Sequence, residues 1–68
     1  MKDNIIKLEY INGWGEETIA YTTEKHFNNV NDEGEIYITD DINDIKDGKI
    51  NNGWEIYKEA ITKVFNGK

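Results

Sequence analysis

The chain has no cysteine and a single histidine, His26, in 68 residues. Disulfides, thiolate metal sites and multi-histidine sites are therefore ruled out as a framework. A chain of this length makes one small domain, residues 1–68, and buries only about 60% of the surface its unfolded form exposes. It must hold together by apolar contact alone, or be steadied by a partner or a second copy. Ser, Arg, Gln and Pro are absent as well. Without Ser or Cys the usual acyl-transfer nucleophiles are missing, and a substrate cleft is hard to build on so small a core. The adjacent acids Glu16-Glu17 and Asp40-Asp41 have no cleft around them that would make an acid/base pair. The chain reads as non-enzymatic, with no cofactor site.

Apolar periodicity sets the expected elements. Ile5–Ile11 alternates, with Ile6, Leu8 and Tyr10 on one face, as in a half-buried strand. Asn12-Gly13-Trp14-Gly15 is a turn signal, and Glu17–Thr23 follows with Ile19 and Tyr21 on one face. The two runs read as an antiparallel hairpin. A competing reading makes 16–30 a helix, because Ile19, Thr23, Phe27 and Val30 fall near helical spacing. Residues 24–34 are polar and end in the turn Asn31-Asp32-Glu33-Gly34. Glu35–Thr39 reads as a third strand with Ile36 and Ile38 inward. Residues 39–48 suit a short helix or helical turn, with Thr39 as its cap, Lys46 in its last turn and Gly48 at its end. Finally, Asn52-Gly53-Trp54-Glu55 has the form of a capping box. After it, Trp54, Tyr57, Ile61, Val64 and Phe65 recur at helical spacing, with Asn66-Gly67 as the stop. The expected fold is α+β: a three-stranded antiparallel meander packed against a C-terminal amphipathic helix, with a short helix before it.

Charge is segregated along the chain. Residues 32–47 hold seven acids (Asp32, Glu33, Glu35, Asp40, Asp41, Asp44 and Asp47) and one base, Lys46, for a net charge of -6. The other 52 residues hold seven acids and seven lysines and are neutral. A helix over 40–47 would put Asp40, Asp44 and Asp47 on one face. A strand would put Glu33 and Glu35 on one side, roughly 6.6 Å apart. Carboxylates at such spacings approach the charge density of a nucleic-acid backbone and suit a basic groove, with fast, salt-sensitive association. The plainer reading is a solvated face that aids solubility. The same charge argues against direct binding to nucleic acid or an anionic membrane. No apolar stretch is long enough for a membrane span and nothing resembles a signal peptide, so the expected place is the cytoplasm.

Other features are weaker. Asp41–Asn51 is similar to a calcium loop, but with Gly48 at the sixth position two ligand positions are apolar, and starting at Asp44 puts Lys46 at the third. No metal site is expected. Trp14, between two glycines, is either a lid on the core's edge or an exposed anchor. Trp54 belongs in a core by default. Tyr37 points away from Ile36 and Ile38, either as an anchor within the acids or as a strand-face packing residue. His26 is given no role.

The acids Glu33, Glu35, Asp40, Asp41, Asp44 and Asp47, followed by NNGWEIYKEAITKVF, resemble the layout of small phage-encoded inhibitors of host defence, above all the anti-CRISPR proteins that imitate DNA. Lys without Arg, with nine Asn and eleven Ile, is what AT-rich codons produce, and favours a low-GC bacterium or one of its phages. The resemblance lies in layout and charge over about half the chain. It implies a non-enzymatic protein that blocks a host protein with a basic nucleic-acid-binding groove, such as a CRISPR nuclease, from the host cytoplasm. The rival is a structural or regulatory module, homodimeric in one version, whose contacts are apolar and centre on Trp14 and Tyr37.

Overall fold

The computed structural model describes residues 4–65. Strand β1 (Ile5–Ile11) and strand β2 (Glu17–Thr23) form the expected hairpin, with Leu8 opposite Ala20 and Tyr10 opposite Thr18. The competing helix survives only as one turn, α1 (Glu24–Phe27). Thr23 starts it: its hydroxyl accepts from the His26 backbone N–H at 3.1 Å and lies 2.6 Å from His26 Nδ1.

Strand β3 (Glu35–Ile38) carries Ile36 and Ile38 into the core. It does not join β1 and β2 as a full third strand of their sheet. The link is one bridge, where Tyr21 and Thr39 exchange backbone hydrogen bonds of 2.7 and 2.9 Å. The Thr22 hydroxyl adds a bond to the Tyr37 carbonyl at 2.7 Å.

In residues 39–48 the expected short helix or helical turn is a single 3-10 turn, Ile42–Asp44, capped by Asp41 rather than Thr39. A tight hairpin follows, β4 (Ile45–Lys46) with β5 (Lys49–Ile50). Its two-residue loop, Asp47-Gly48, has φ of 53° and 77° at successive positions. Positive φ at both positions suits a primed turn, and Asp-Gly between Ile45 and Ile50 supplies the residues that tolerate it.

The larger correction is the C-terminal amphipathic helix. Residues 54–65 are strand β6 (Trp54–Tyr57), a 3-10 turn (Lys58–Ala60) and strand β7 (Ile61–Phe65). The described residues are 52% strand and 16% helical, so the fold is mostly β. The β1–β2–β3 ribbon leaves the outer edges of β1 and β3 with unpaired backbone groups. β6 pairs with β3 and β7 with β1, satisfying both. The segment's own residues agree, since Trp, Ile, Tyr, Thr, Val and Phe favour strands. The proposed helix stop at Asn66-Gly67 lies outside the described residues.

The strands thus run β6-β3, then through the Tyr21–Thr39 bridge to β2-β1-β7. The last two segments in the chain return to opposite ends of this order, and among the described residues no ladder closes the seam between β6 and β7. Leu8, Tyr10, Ala20, Ile36 and Ile38 form the core, with Phe27, Ile56 and Ile61 packed against it. On β2 the buried face carries Ala20 and Thr22, not Ile19 and Tyr21, and Ile19 is exposed. Thr22, Thr23 and Thr39 are fully buried, and among the described residues no buried side-chain polar atom lacks a partner.

Candidate functional site

The acidic residues are placed by two capped loops at the ends of β3. Before the strand, Asn31 Oδ1 accepts from the backbone N–H groups of Glu33 and Glu35, both at 2.9 Å. The Asn31 carbonyl accepts from Gly34 at 3.0 Å, with Gly34 at φ 83°. With its amides bound inward, the loop leaves Asp32 and Glu33 exposed. Glu35 is half-buried and accepts from Asn31 Nδ2 at 3.2 Å. Glu33 is a loop residue, so the expected pairing of Glu33 and Glu35 on one side of a strand does not form.

Beyond the strand, Asp40 is exposed. Asp41 Oδ1 accepts from the Asn43 N–H at 3.0 Å and so caps the 3-10 turn. Asp44 is half-buried and accepts from the Thr39 hydroxyl at 3.4 Å. Asp47 stands exposed on the β4–β5 loop. The expected helical face of Asp40, Asp44 and Asp47 does not exist. Four strand steps, roughly 13 Å of backbone, run from Glu35 to Thr39, so the acids before β3 and those after Thr39 lie at opposite ends of the strand. The seven acids therefore form two clusters flanking β3 rather than one continuous patch. Asp41 and Asp44 also serve the local fold, whereas Asp32, Glu33, Asp40 and Asp47 face solvent.

A second surface is aromatic. The β1–β2 loop is built like the one before β3: Asn12 Oδ1 accepts from Trp14 N–H at 2.9 Å and Glu16 N–H at 3.0 Å, and Gly15 sits at φ 80°. Both loops follow the pattern Asn-x-x-Gly-Glu, and the middle residues are held outward. Trp14 is in consequence 86% exposed, which settles it as a surface residue and not a lid. It borders an open groove of about 560 Å³, together with Tyr10, Ile11, Trp54, Glu55 and Tyr57. Ala60 also lines it, which sets the groove between the end of β1 and strand β6, beside the unclosed seam.

Trp54 and Tyr57, expected within a buried helical stripe, are 38% and 54% exposed. Sequence reasoning missed them as surface residues. The pointer was the run Asn51-Asn52-Gly53, which with Asn52 at φ 56° delivers Trp54 into a strand rather than a helix. Tyr37 is a packing residue. It is half-buried, its ring lies 6.0 Å from that of His26, and its edge covers Gly53. Among the described residues no group of three or more His, Cys, Asp or Glu could hold a metal ion. No helix among them is long and apolar enough to cross a membrane. No family model matches the chain, and neither a curated protein nor a solved structure shows a significant match to it.

Proposed function

We propose that this chain is a non-enzymatic binding protein, of the phage inhibitor type, whose acidic surface occupies the basic nucleic-acid-binding groove of a host protein such as a CRISPR nuclease. It acts in the host cytoplasm. The observation that supports this most is that the whole net charge of -6 lies in residues 32–47, with its acids set at the two ends of one strand, β3. A nucleic-acid backbone also presents charge in separated rows across a groove, so two clusters suit a phosphate-binding surface as well as one patch does. The loop carrying Asp32 and Glu33 and the turn after Asp40 need little rearrangement to meet a partner, because Asn31 and Asp41 already hold them.

The test is capture from a low-GC bacterial lysate at low salt, followed by competition with duplex DNA. Recovery of a nucleic-acid-binding protein that DNA displaces is the expected result. Recovery of a partner indifferent to DNA would contradict mimicry. That outcome would favour the second reading, an interaction module with apolar contacts, for which the exposure of Trp14 is the specific support.

A further inference from the structure

In an antiparallel pair, alternate residues bond across the ladder, and those between them turn their backbone groups away from it. Lys58 N–H donates to the Gly34 carbonyl at 2.8 Å, which makes Gly34 and Lys58 a bonded pair. Glu35 and Tyr37 therefore face away from β6. Both Glu35 backbone groups bond to Asn31, and the Tyr37 carbonyl accepts from the Thr22 hydroxyl. The residues opposite them, Tyr57 and Glu55, turn the other way, so the Tyr57 N–H and both Glu55 backbone groups lie on the outer edge of β6. Among the described residues no strand pairs with β6 on that side, and the groove lined by Trp54–Tyr57 runs along it.

Exposed sheet edges are templates for another strand, and proteins blunt them with lysine, proline or a bulge. β7, the other outermost strand, carries Lys63 and a register shift opposite Glu9 and Tyr10. β6 carries one charge, Glu55, and keeps an unbroken register from Trp54 to Tyr57. Trp54 sits on its core side, opposite Ile38, yet is 38% exposed at this edge.

We infer that the outer edge of β6 pairs with the same edge of a second copy, antiparallel about a two-fold axis. Three symmetric registers centred in the strand let outward backbone groups meet. An axis at Glu55 sets like charges directly opposite, and one at Tyr57 sets Glu55 against Glu59. An axis at Ile56 sets no acid opposite an acid: Glu55 meets Tyr57, Trp54 meets Lys58 and Ile56 meets Ile56. Each Tyr57 N–H then donates to the Glu55 carbonyl of the other copy, and the row Ile36–Ile56 continues into the second sheet. An edge this short buries little beside the roughly 1,200 Å² of a stable interface, so the dimer is a weak one. The net charge of -6 on each copy lies in residues 32–47, so association tightens as salt screens the repulsion. That sign is opposite to the one expected when the acids meet a basic groove, and the two readings fail separately.

Sedimentation equilibrium at up to about 1 mM protein, in about 50 and about 500 mM salt, should show a monomer–dimer equilibrium severalfold tighter at high salt. Tyr57 has a φ of -68°, which proline adopts, and its N–H faces outward, so Tyr57→Pro keeps the fold and removes both cross-copy bonds. Tyr57→Val loses the ring and keeps the N–H. The proline variant should dimerise roughly tenfold to a hundredfold more weakly than the valine variant. In the parent, the Glu55 and Tyr57 amides should exchange more slowly at about 1 mM than at about 0.05 mM protein. Thermal unfolding of the dilute variants checks that both are folded. A protein that stays monomeric at the highest protein and salt concentrations, equal dimerisation of the two variants, or an unfolded Tyr57→Pro protein would each overturn the proposal.

Discussion

Single residues carry more of this fold than their size suggests. Gly53 precedes β6 where the chain passes under β3, and a Cβ there would overlap the Ile38 carbonyl oxygen and press on Ile50 and Tyr37. The nearest obstacle is backbone, which cannot swing aside. Gly53→Ala should cost about 1–3 kcal/mol, in the range of overpacking. In a domain this small that is a fall in melting temperature of roughly 4–8 °C per kcal/mol, readable by thermal unfolding. An unchanged midpoint would mean that β6 can move away from β3. Asn12 and Asn31 are the counterpart: each binds two backbone amides, and each fixes a loop whose tip faces solvent. The turns they make were legible in the sequence. Their common pattern, Asn-x-x-Gly-Glu, was legible too, but only the structure shows that it holds Trp14 and the pair Asp32-Glu33 outward by the same means.

At the scale of elements, legibility followed the competition for hydrogen-bond partners. The β1–β2 hairpin was readable because alternation and an Asn-Gly turn agree. The C-terminal segment was not, because Trp54, Tyr57, Ile61 and Val64 satisfy helical spacing while their residue types favour strands. The free edges of β1 and β3 decide the matter, and no local pattern displays them. Asp47-Gly48 was a hairpin signal that reads as a helix end when Thr39, Asp40 and Lys46 are weighed as caps. Ile61 tests the outcome. It is half-buried, packs on the core and sits opposite Tyr10 across β1–β7. Ile61→Ala should cost about 1–2 kcal/mol, less than a fully buried site, by chemical denaturation. Amide exchange separates the two architectures more sharply. β1, paired on both sides, should be the slowest to exchange, and the two-residue strands β4 and β5 the fastest. Slow exchange concentrated in 54–65, without protection in β1, would restore the helix.

For the whole molecule, the charge asymmetry is the feature that the sequence displayed and the fold rearranged. Five of the seven acids were expected on one helix face (Asp40, Asp44, Asp47) and one strand side (Glu33, Glu35), and the fold instead sets the acids at the two ends of β3. Asp41 and Asp44 are engaged locally, so neutralising them would confound binding with folding. Asp32, Glu33, Asp40 and Asp47 are exposed, and Asn at position 47 still tolerates the positive φ there. Replacing these four with their amides removes four charges of one sign and should leave the melting temperature equal or higher, through relieved repulsion. The direct measurement is the affinity of the parent and of this variant for the captured partner, at about 50 and about 200 mM salt. If the acidic surface occupies a phosphate-binding groove, the variant should bind orders of magnitude more weakly at low salt, and parent affinity should fall steeply at high salt. Equal affinity of the two proteins, unchanged between the two salt concentrations, would contradict the account.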